Sequence, residues 1–298
     1  MGLILIIQDT VVKKLVIFGV GLIGGSVALA LKKAGVNTQI VGVGRTRQSL
    51  NEALNLGIID VAESDIQAAV HDADVIMLAA PVAQTTQILK SIQPFLQANT
   101  VITDAGSTKG DVLNSAKTVL GSQFNQFIGG HPIAGAEKSG AAAAMADLFV
   151  AKNVVLTPTD ETNPEAVNTV TTLWRDCGAN ITTMSAEQHD AIFAAVSHLP
   201  HLLAFALVDD IASRPNASQL FSFAASGFRD FTRIAGSHPE MWRDISLANR
   251  QALINEISAF EQELATVKQL LTQSDSAGLE ALFERASHAR NQWAKRQQ

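Results

Sequence analysis

Residues 15–26 read LVIFGVGLIGGS: four large apolar side chains, then glycines, then a stretch suited to a helix. An unbroken apolar run of this kind fits a strand buried on both faces, as in a parallel sheet. Gly19, Gly21 and Gly24 give the spacing G-x-G-x-x-G. The first glycine allows a tight turn, the second admits a pyrophosphate against the backbone, and the third lets helix pack on strand. Leu22 and Ile23 lie where the N–H groups of a new helix bind anions. A glycine-rich turn with no ligand is the plainer alternative, and the surrounding pattern weighs against it.

Working outward, strands are expected at residues 14–18, 39–43, 75–79, 101–104, 127–129 and 153–156, with helical patterns between them, as at 24–33 and 83–95. This alternation predicts an α/β fold: a Rossmann-type, doubly wound, mainly parallel sheet domain over residues 1–184. From residue 185 to 298 the strand signal is lost, and helices are expected at 186–213, 218–234, 239–272 and 276–295. Arg214-Pro215-Asn216 and Ser237-His238-Pro239 supply the breaks. The stretch LPHLLAFALVDDIA is apolar on more than one face, so it must be covered. An all-α domain that forms a homodimer is the economical arrangement.

Composition narrows the function. The chain has 298 residues, 47% apolar and 17% charged, with a formal charge of −6. That balance disfavours nucleic-acid binding, which needs a basic face. The one cysteine, Cys177, excludes an intrachain disulfide. The opening MGLILII has no basic leader or cleavage site and is not read as a signal peptide. No uninterrupted apolar run reaches membrane-spanning length, so a cytoplasmic protein without a membrane partner is expected.

The turn after the second strand points to the cofactor. An NAD site places a carboxylate there for the ribose hydroxyls. Here stand Gly44, Arg45, Thr46 and Arg47, two guanidinium groups and a hydroxyl suited to a 2′-phosphate. NADP is therefore expected in preference to NAD, although NAD is possible. Solvated arginines are the alternative.

Ligands bind such sheets beyond the carboxyl ends of the strands. Three loops fall there: APVAQT, with Ala80 and Pro81; DAGSTKG, with Ser107; and GGHPIAG, with His131. Pro132 pushes His131 toward extended backbone, so its ring is held at the mouth of its strand. An imidazole titrates near neutral pH and suits proton transfer coupled to hydride transfer.

Together GLIGGS, DAGSTKG, HPIAGAEKSG, HDAIFAAVSHLPHLLAFAL and GFRDFTRIAGSHPEMWRDI resemble the prephenate/arogenate (cyclohexadienyl) dehydrogenase family of tyrosine biosynthesis. The resemblance runs from about residue 14 to about residue 250. It implies a nucleotide-binding domain followed by a helical dimerisation domain, acting by oxidative decarboxylation of a small cyclohexadienyl substrate. It also implies that His131 accepts the ring hydroxyl's hydrogen bond or proton and that Ser107 orients that hydroxyl. On the same basis Arg233 holds a substrate carboxylate, and His201 lines the substrate side.

Glu137 is a candidate partner for the arogenate ammonium, with Lys138 or Arg229 as alternative partners. Arg233 has an alternative as well, an ion pair with Asp230. No metal is expected: on a straight helix His189 and His198 point to opposite faces. His198 is then a packing or capping residue, and Trp242 a core residue or a substrate wall. Two other functions stay open: a dehydrogenase for another small acid, and a non-catalytic NADP-sensing dimer.

Overall fold

Leu15, Val16, Ile17 and Phe18 belong to β1 (Lys14–Phe18), and all four are buried. In this computed structural model, which describes residues 12–136 and 138–295, β1 lies inside an eight-stranded sheet. The apolar opening segment and Glu137 lie outside the described residues. The other strands are β2 (Gln39–Val43), β3 (Val61–Ala62), β4 (Val75–Leu78), β5 (Val101–Asp104), β6 (Phe127–Pro132), β7 (Asn153–Thr157) and β8 (Asn180–Thr183). Their order is β3-β2-β1-β4-β5-β6-β7-β8. All neighbours are parallel except β6 and β7. The sheet is thus the expected doubly wound one, with an antiparallel step beside His131.

Six helices follow the first strands: α1 (Leu22–Lys33), α2 (Arg47–Asn55), α3 (Ile66–Val70), α4 (Thr85–Ile92), α5 (Gly110–Leu120) and α6 (Pro164–Asp176). Alternation along β1 sends Leu15 and Ile17 into one core, with Val27 and Leu31 of α1 and Val170 and Trp174 of α6. Val16 and Phe18 enter a second core with Leu89 and Ile92 of α4 and Val112 and Leu120 of α5. Burying each such side chain contributes about 1.5–3 kcal/mol. Both faces are covered, which explains why the strand sequence does not alternate with polar residues.

The helices after residue 184 differ in detail from the sequence expectation. Residues 186–212 form one helical run, α7 (Ala186–Phe193), a π turn (Ala194–His198) and α8 (Leu199–Ala212). The expected helix at 218–234 is instead α9 (Ala217–Ser222), α10 (Ser226–Thr232) and a 3-10 turn (Arg233–Gly236). Asn249 splits the next into α11 (Pro239–Ala248) and α12 (Arg250–Thr272), and α13 (Ser276–Lys295) follows. The chain divides into two compact units, Met1–Arg250 and Gln251–Gln298, so α7 to α11 share the unit that contains the sheet.

Among the described residues one helical run, Ala186–Ala212, is long and apolar enough to cross a membrane by length and composition alone. Its apolar residues are interrupted by Glu187, His189, Asp190, His198, His201, Asp209 and Asp210.

Glycines fit β6 into this sheet. A Cβ on Gly130 would stand 2.6 Å from the backbone oxygen of Asp104. Neither backbone can yield without breaking the ladder, and forced overpacking costs about 1–3 kcal/mol. Gly130→Ala should therefore lower the urea-unfolding free energy by about that amount, and an unchanged midpoint would contradict the packing described.

Candidate active site

The turn after β1 has the shape its glycines allow. Gly19 has φ +96°, and a Cβ there would lie 2.7 Å from the Ala79 carbonyl oxygen after β4. Gly24 is closed off by the Gly19 carbonyl and the Ile17 side chain. Gly21, the N-cap of α1, would meet no protein atom within 4 Å if it carried a Cβ. Nothing in the fold itself requires glycine there, which fits a cradle whose occupant is a ligand. The first turn of α1 holds no acidic side chain, and its open N–H groups suit a pyrophosphate. Leu22 and Ile23 open this helix, and Ala80 and Pro81 follow β4 across the same crevice.

Arg45 and Arg47 are exposed at the end of β2. Thr46 caps α2, its oxygen accepting from Ser49 N at 3.2 Å. Its hydroxyl is therefore engaged locally, which the sequence did not reveal. A carboxylate does approach this corner from elsewhere in the chain. Glu63 accepts from the Asp65 and Ser64 amides, which, with the nearby Arg47 charge, hold it below its ordinary range.

The loop carrying Ser107 is anchored by a buried ion pair, Lys109 with Asp104. Asp104 also accepts from Gly106 N at 2.8 Å and Gly130 N at 3.0 Å, and Lys109 Nζ donates to the Gly130 carbonyl at 2.7 Å. The loop after β5 and the end of β6 are thereby tied together. Ser107 is partly exposed on this loop.

His131 lies within β6 rather than beyond it, paired with Val155 of β7. Its Nδ1 is 2.8 Å from His189 Nε2, and its ring packs on Phe193 at 4.8 Å between centroids. His189 Nδ1 is 2.8 Å from Asp190 Oδ1. Asp190 also accepts from Lys109 N at 2.9 Å and Gly110 N at 2.8 Å, closing the start of α5 onto α7. Asn249 donates to the Asp190 carbonyl and lies 3.1 Å from His198 Nδ1.

His189 and His198 were expected on opposite faces. The π turn between them changes the rotation per residue, and both are buried on the side that Asn249 spans. His198 is thus a packing residue, and it makes no side-chain capping bond to α8.

Farther along, His201 stacks on Trp242 at 3.7 Å between ring centroids, and its Nδ1 donates to the Ser197 carbonyl at 2.9 Å. His201 also feels the positive charge of Arg233, which is exposed in the 3-10 turn. His131 touches His189, Asn249 links the Asp190 carbonyl to His198, and the charge of Arg233 reaches His201. His189, Asp190, Lys109 and Asn249 were not singled out as site residues from sequence. The adjacent His-Asp pair in HDAIF was the available signal.

Burial pushes His131 well below the usual imidazole range, reinforced by His189, Lys109 and His198. Burial also lowers His189, against the pull of its bond to Asp190. For Asp190 burial acts upward, but the bonds from His189 and the Lys109 and Gly110 amides win and hold it below its ordinary range. His198 is pushed down to about 4, chiefly by burial, and His201 is lowered by burial with Arg233 adding to it. The four imidazoles are therefore neutral at pH 7.

These shifts fix a pH dependence of stability. Histidines held low bind protons more readily when unfolded, so stability is intact above about pH 6.5 and falls as pH drops below it. His198 alone, pushed down to about 4, should cost about 3 kcal/mol by pH 4. Asp190 acts in the same sense: its contribution is present above the unfolded carboxylate value and is lost as pH falls through the depressed one. Urea midpoints measured from pH 8 to 4.5 should decline, and His198→Asn should flatten the decline. A level wild-type profile would contradict this.

Comparison with known proteins agrees with this geometry. Residues 27–183 match the family model for the prephenate dehydrogenase nucleotide-binding domain, and residues 185–285 match that for the prephenate dehydrogenase dimerization domain. Prephenate dehydrogenase of Bacillus subtilis is 38% identical over 92% of this chain and 74% of its own length. Cyclohexadienyl dehydrogenase of Zymomonas mobilis is 34% identical over 94% of this chain and 96% of its own. Among solved structures, Aquifex aeolicus prephenate dehydrogenase, in complex with hydroxyphenyl propionate and NAD+, is 38% identical with a TM-score of 0.87, covering 94% of this chain and 98% of that one. Synechocystis arogenate dehydrogenase is 29% identical with a TM-score of 0.80, covering 94% and 99%. Two models of one family, matched in order along a chain with a Rossmann sheet and a glycine cradle, establish that this chain belongs to the prephenate dehydrogenase family of oxidoreductases.

Proposed function

We propose that the chain catalyses oxidative decarboxylation of prephenate, arogenate or both, with NADP as preferred cofactor, giving 4-hydroxyphenylpyruvate or tyrosine. The observation that carries this reading is His131: neutral, partly exposed, and bonded through Nδ1 to His189, which leaves Nε2 for a substrate. Gly19, Gly21, Leu22, Ile23 and Gly24 would hold the pyrophosphate, with Ala80 and Pro81 beside it and Arg45, Thr46 and Arg47 at the 2′-phosphate. Bound NADP supplies the hydride acceptor. His131 takes the ring hydroxyl's proton on Nε2, and Ser107 orients that hydroxyl. Arg233 grips a substrate carboxylate through its planar fork. His201, backed by Trp242, walls the substrate, and Glu137 pairs with the arogenate ammonium. Loss of the ring carboxylate as carbon dioxide makes the product aromatic and the step strongly downhill. The enzyme's main task is then orientation and the handling of one proton.

Support for NADP comes from residues 44–47, which lack a carboxylate and carry two exposed arginines. A second reading, NAD, is favoured by the NAD+ bound to the Aquifex relative. We also propose that the domains are residues 1–184 for the dinucleotide and 185–298 for substrate and dimerisation. Exposed Ile192, Val196, Phe223 and Leu247 and the match to a dimerization domain support a homodimer through the second.

An assay of prephenate and arogenate against NAD and NADP fixes substrate and cofactor together, with the highest kcat/KM expected in an NADP arm. His131→Asn should lower kcat by about 10²–10⁴-fold while leaving NADP affinity nearly unchanged. Arg233→Ala should chiefly raise KM. Wild-type turnover by His131→Asn would overturn the mechanism.

A further inference from the structure

We propose that Asp190 and His189 are positioning residues that fix the proton of His131 on Nδ1, so that Nε2 offers a lone pair to the substrate hydroxyl. The catalytic consequence rests on His131 being the base; the proton's position does not.

The assignment follows from counting donors along the chain of bonds. Asp190 accepts from Lys109 N and Gly110 N, and its Oδ1 also faces His189 Nδ1 at 2.8 Å. A carboxylate that already accepts two backbone N–H groups is stabilised in its ionised form and has no proton to give. His189 Nδ1 must therefore carry the hydrogen of that bond. A neutral imidazole has only one N–H, so His189 Nε2 is a lone pair. It faces His131 Nδ1 at 2.8 Å, and only an Nδ1–H on His131 makes a bond there. The opposite tautomer would set two lone pairs against each other inside the protein.

The surroundings keep this order from slipping. His189 is fully buried in α7, whose start is locked by a capping box between Ser185 and Gln188. Asn249 holds the Asp190 carbonyl, and the two amides that Asp190 binds open α5. His131 itself is held by its ladder to β7 and by Phe193. When Nε2 takes the hydroxyl proton, the imidazolium keeps its bond to His189, whose own bond to the Asp190 carboxylate steadies the charge. No proton passes to Asp190.

The test is long-range 1H–15N correlation NMR on the full chain labelled at histidine, with His131 assigned by the signal missing in His131→Asn. Wild type should show His131 protonated on Nδ1 and bare on Nε2. His189→Phe removes the acceptor, so the Nε2–H form should appear and kcat should fall by about 10-fold or more, with cofactor affinity unchanged. His189→Gln, whose amide oxygen can accept the same bond, should restore the Nδ1–H pattern and most of the turnover. Asp190→Asn no longer compels the His189 proton and should give mixed tautomers. A wild-type His131 protonated on Nε2 would overturn the proposal, as would a His189→Phe protein with an unchanged His131 pattern. Full activity in His131→Asn would instead remove the base and leave the tautomer assignment to be judged on the wild-type spectrum.

Discussion

The ion pair between Lys109 and Asp104 is the constraint on which the site is built. Both side chains are withdrawn from water, and burying two charges costs several kcal/mol each unless every remaining donor and acceptor is met. Here Asp104 accepts from Lys109, Gly106 and Gly130, while Lys109 donates to Asp104 and to the Gly130 carbonyl. Those bonds reach three chain segments. The Ser107 loop is bound on one side and the residue before His131 on the other, while the Lys109 amide passes on to Asp190. Removing either charge would strand the other and loosen all three together.

The antiparallel step of the sheet makes room at this place. The ladder between β5 and β6 ends at Thr103 and Ile128, after which the chain leaves β5 as the Ser107 loop. On its other edge β6 stays paired with β7 through Pro132. His131 therefore has strand-like rigidity from one neighbour and an open flank toward the other. A residue on a free loop would have the openness without the rigidity. One in the middle of a parallel ladder would have the reverse. Pro132 adds to this by disfavouring any helical backbone at His131.

Much of this was legible in the sequence because it depends on local rules. Gly19 and Gly24 are demanded by backbone contacts that any such turn creates, and the run LVIF announces a strand covered on both faces. The resemblance brought His131, Ser107 and Arg233 into view as residues of one reaction. What escaped notice depends on nonlocal geometry. β3 has only two residues, too few to leave a pattern, and β8, NITT, is mostly polar and largely exposed. The bond from the Ser49 amide to Thr46 Oγ1 appears only when α2 forms. His189 and His198 were separated by assuming a straight helix, and a single π turn undid the inference. The Lys109–Asp104 pair sits in plain view in DAGSTKG, yet nothing in the sequence shows that both side chains turn inward.

The run of residues 186–212 shows why composition alone misleads. Its mean hydropathy is that of a membrane helix, yet His189 and His198 lie on its covered side beside Asp190, in bonds that lipid could not supply. Ile192 and Val196 lie on the uncovered side. One helix therefore serves two requirements that pull in opposite directions: polar groups buried toward the site, and apolar groups facing out. The π turn reconciles them, because it lets His189 and His198 share the inner side without surrendering the outer face to polar residues. In this architecture the apolar outer surface and the ordered proton positions at His131 are properties of the same helix.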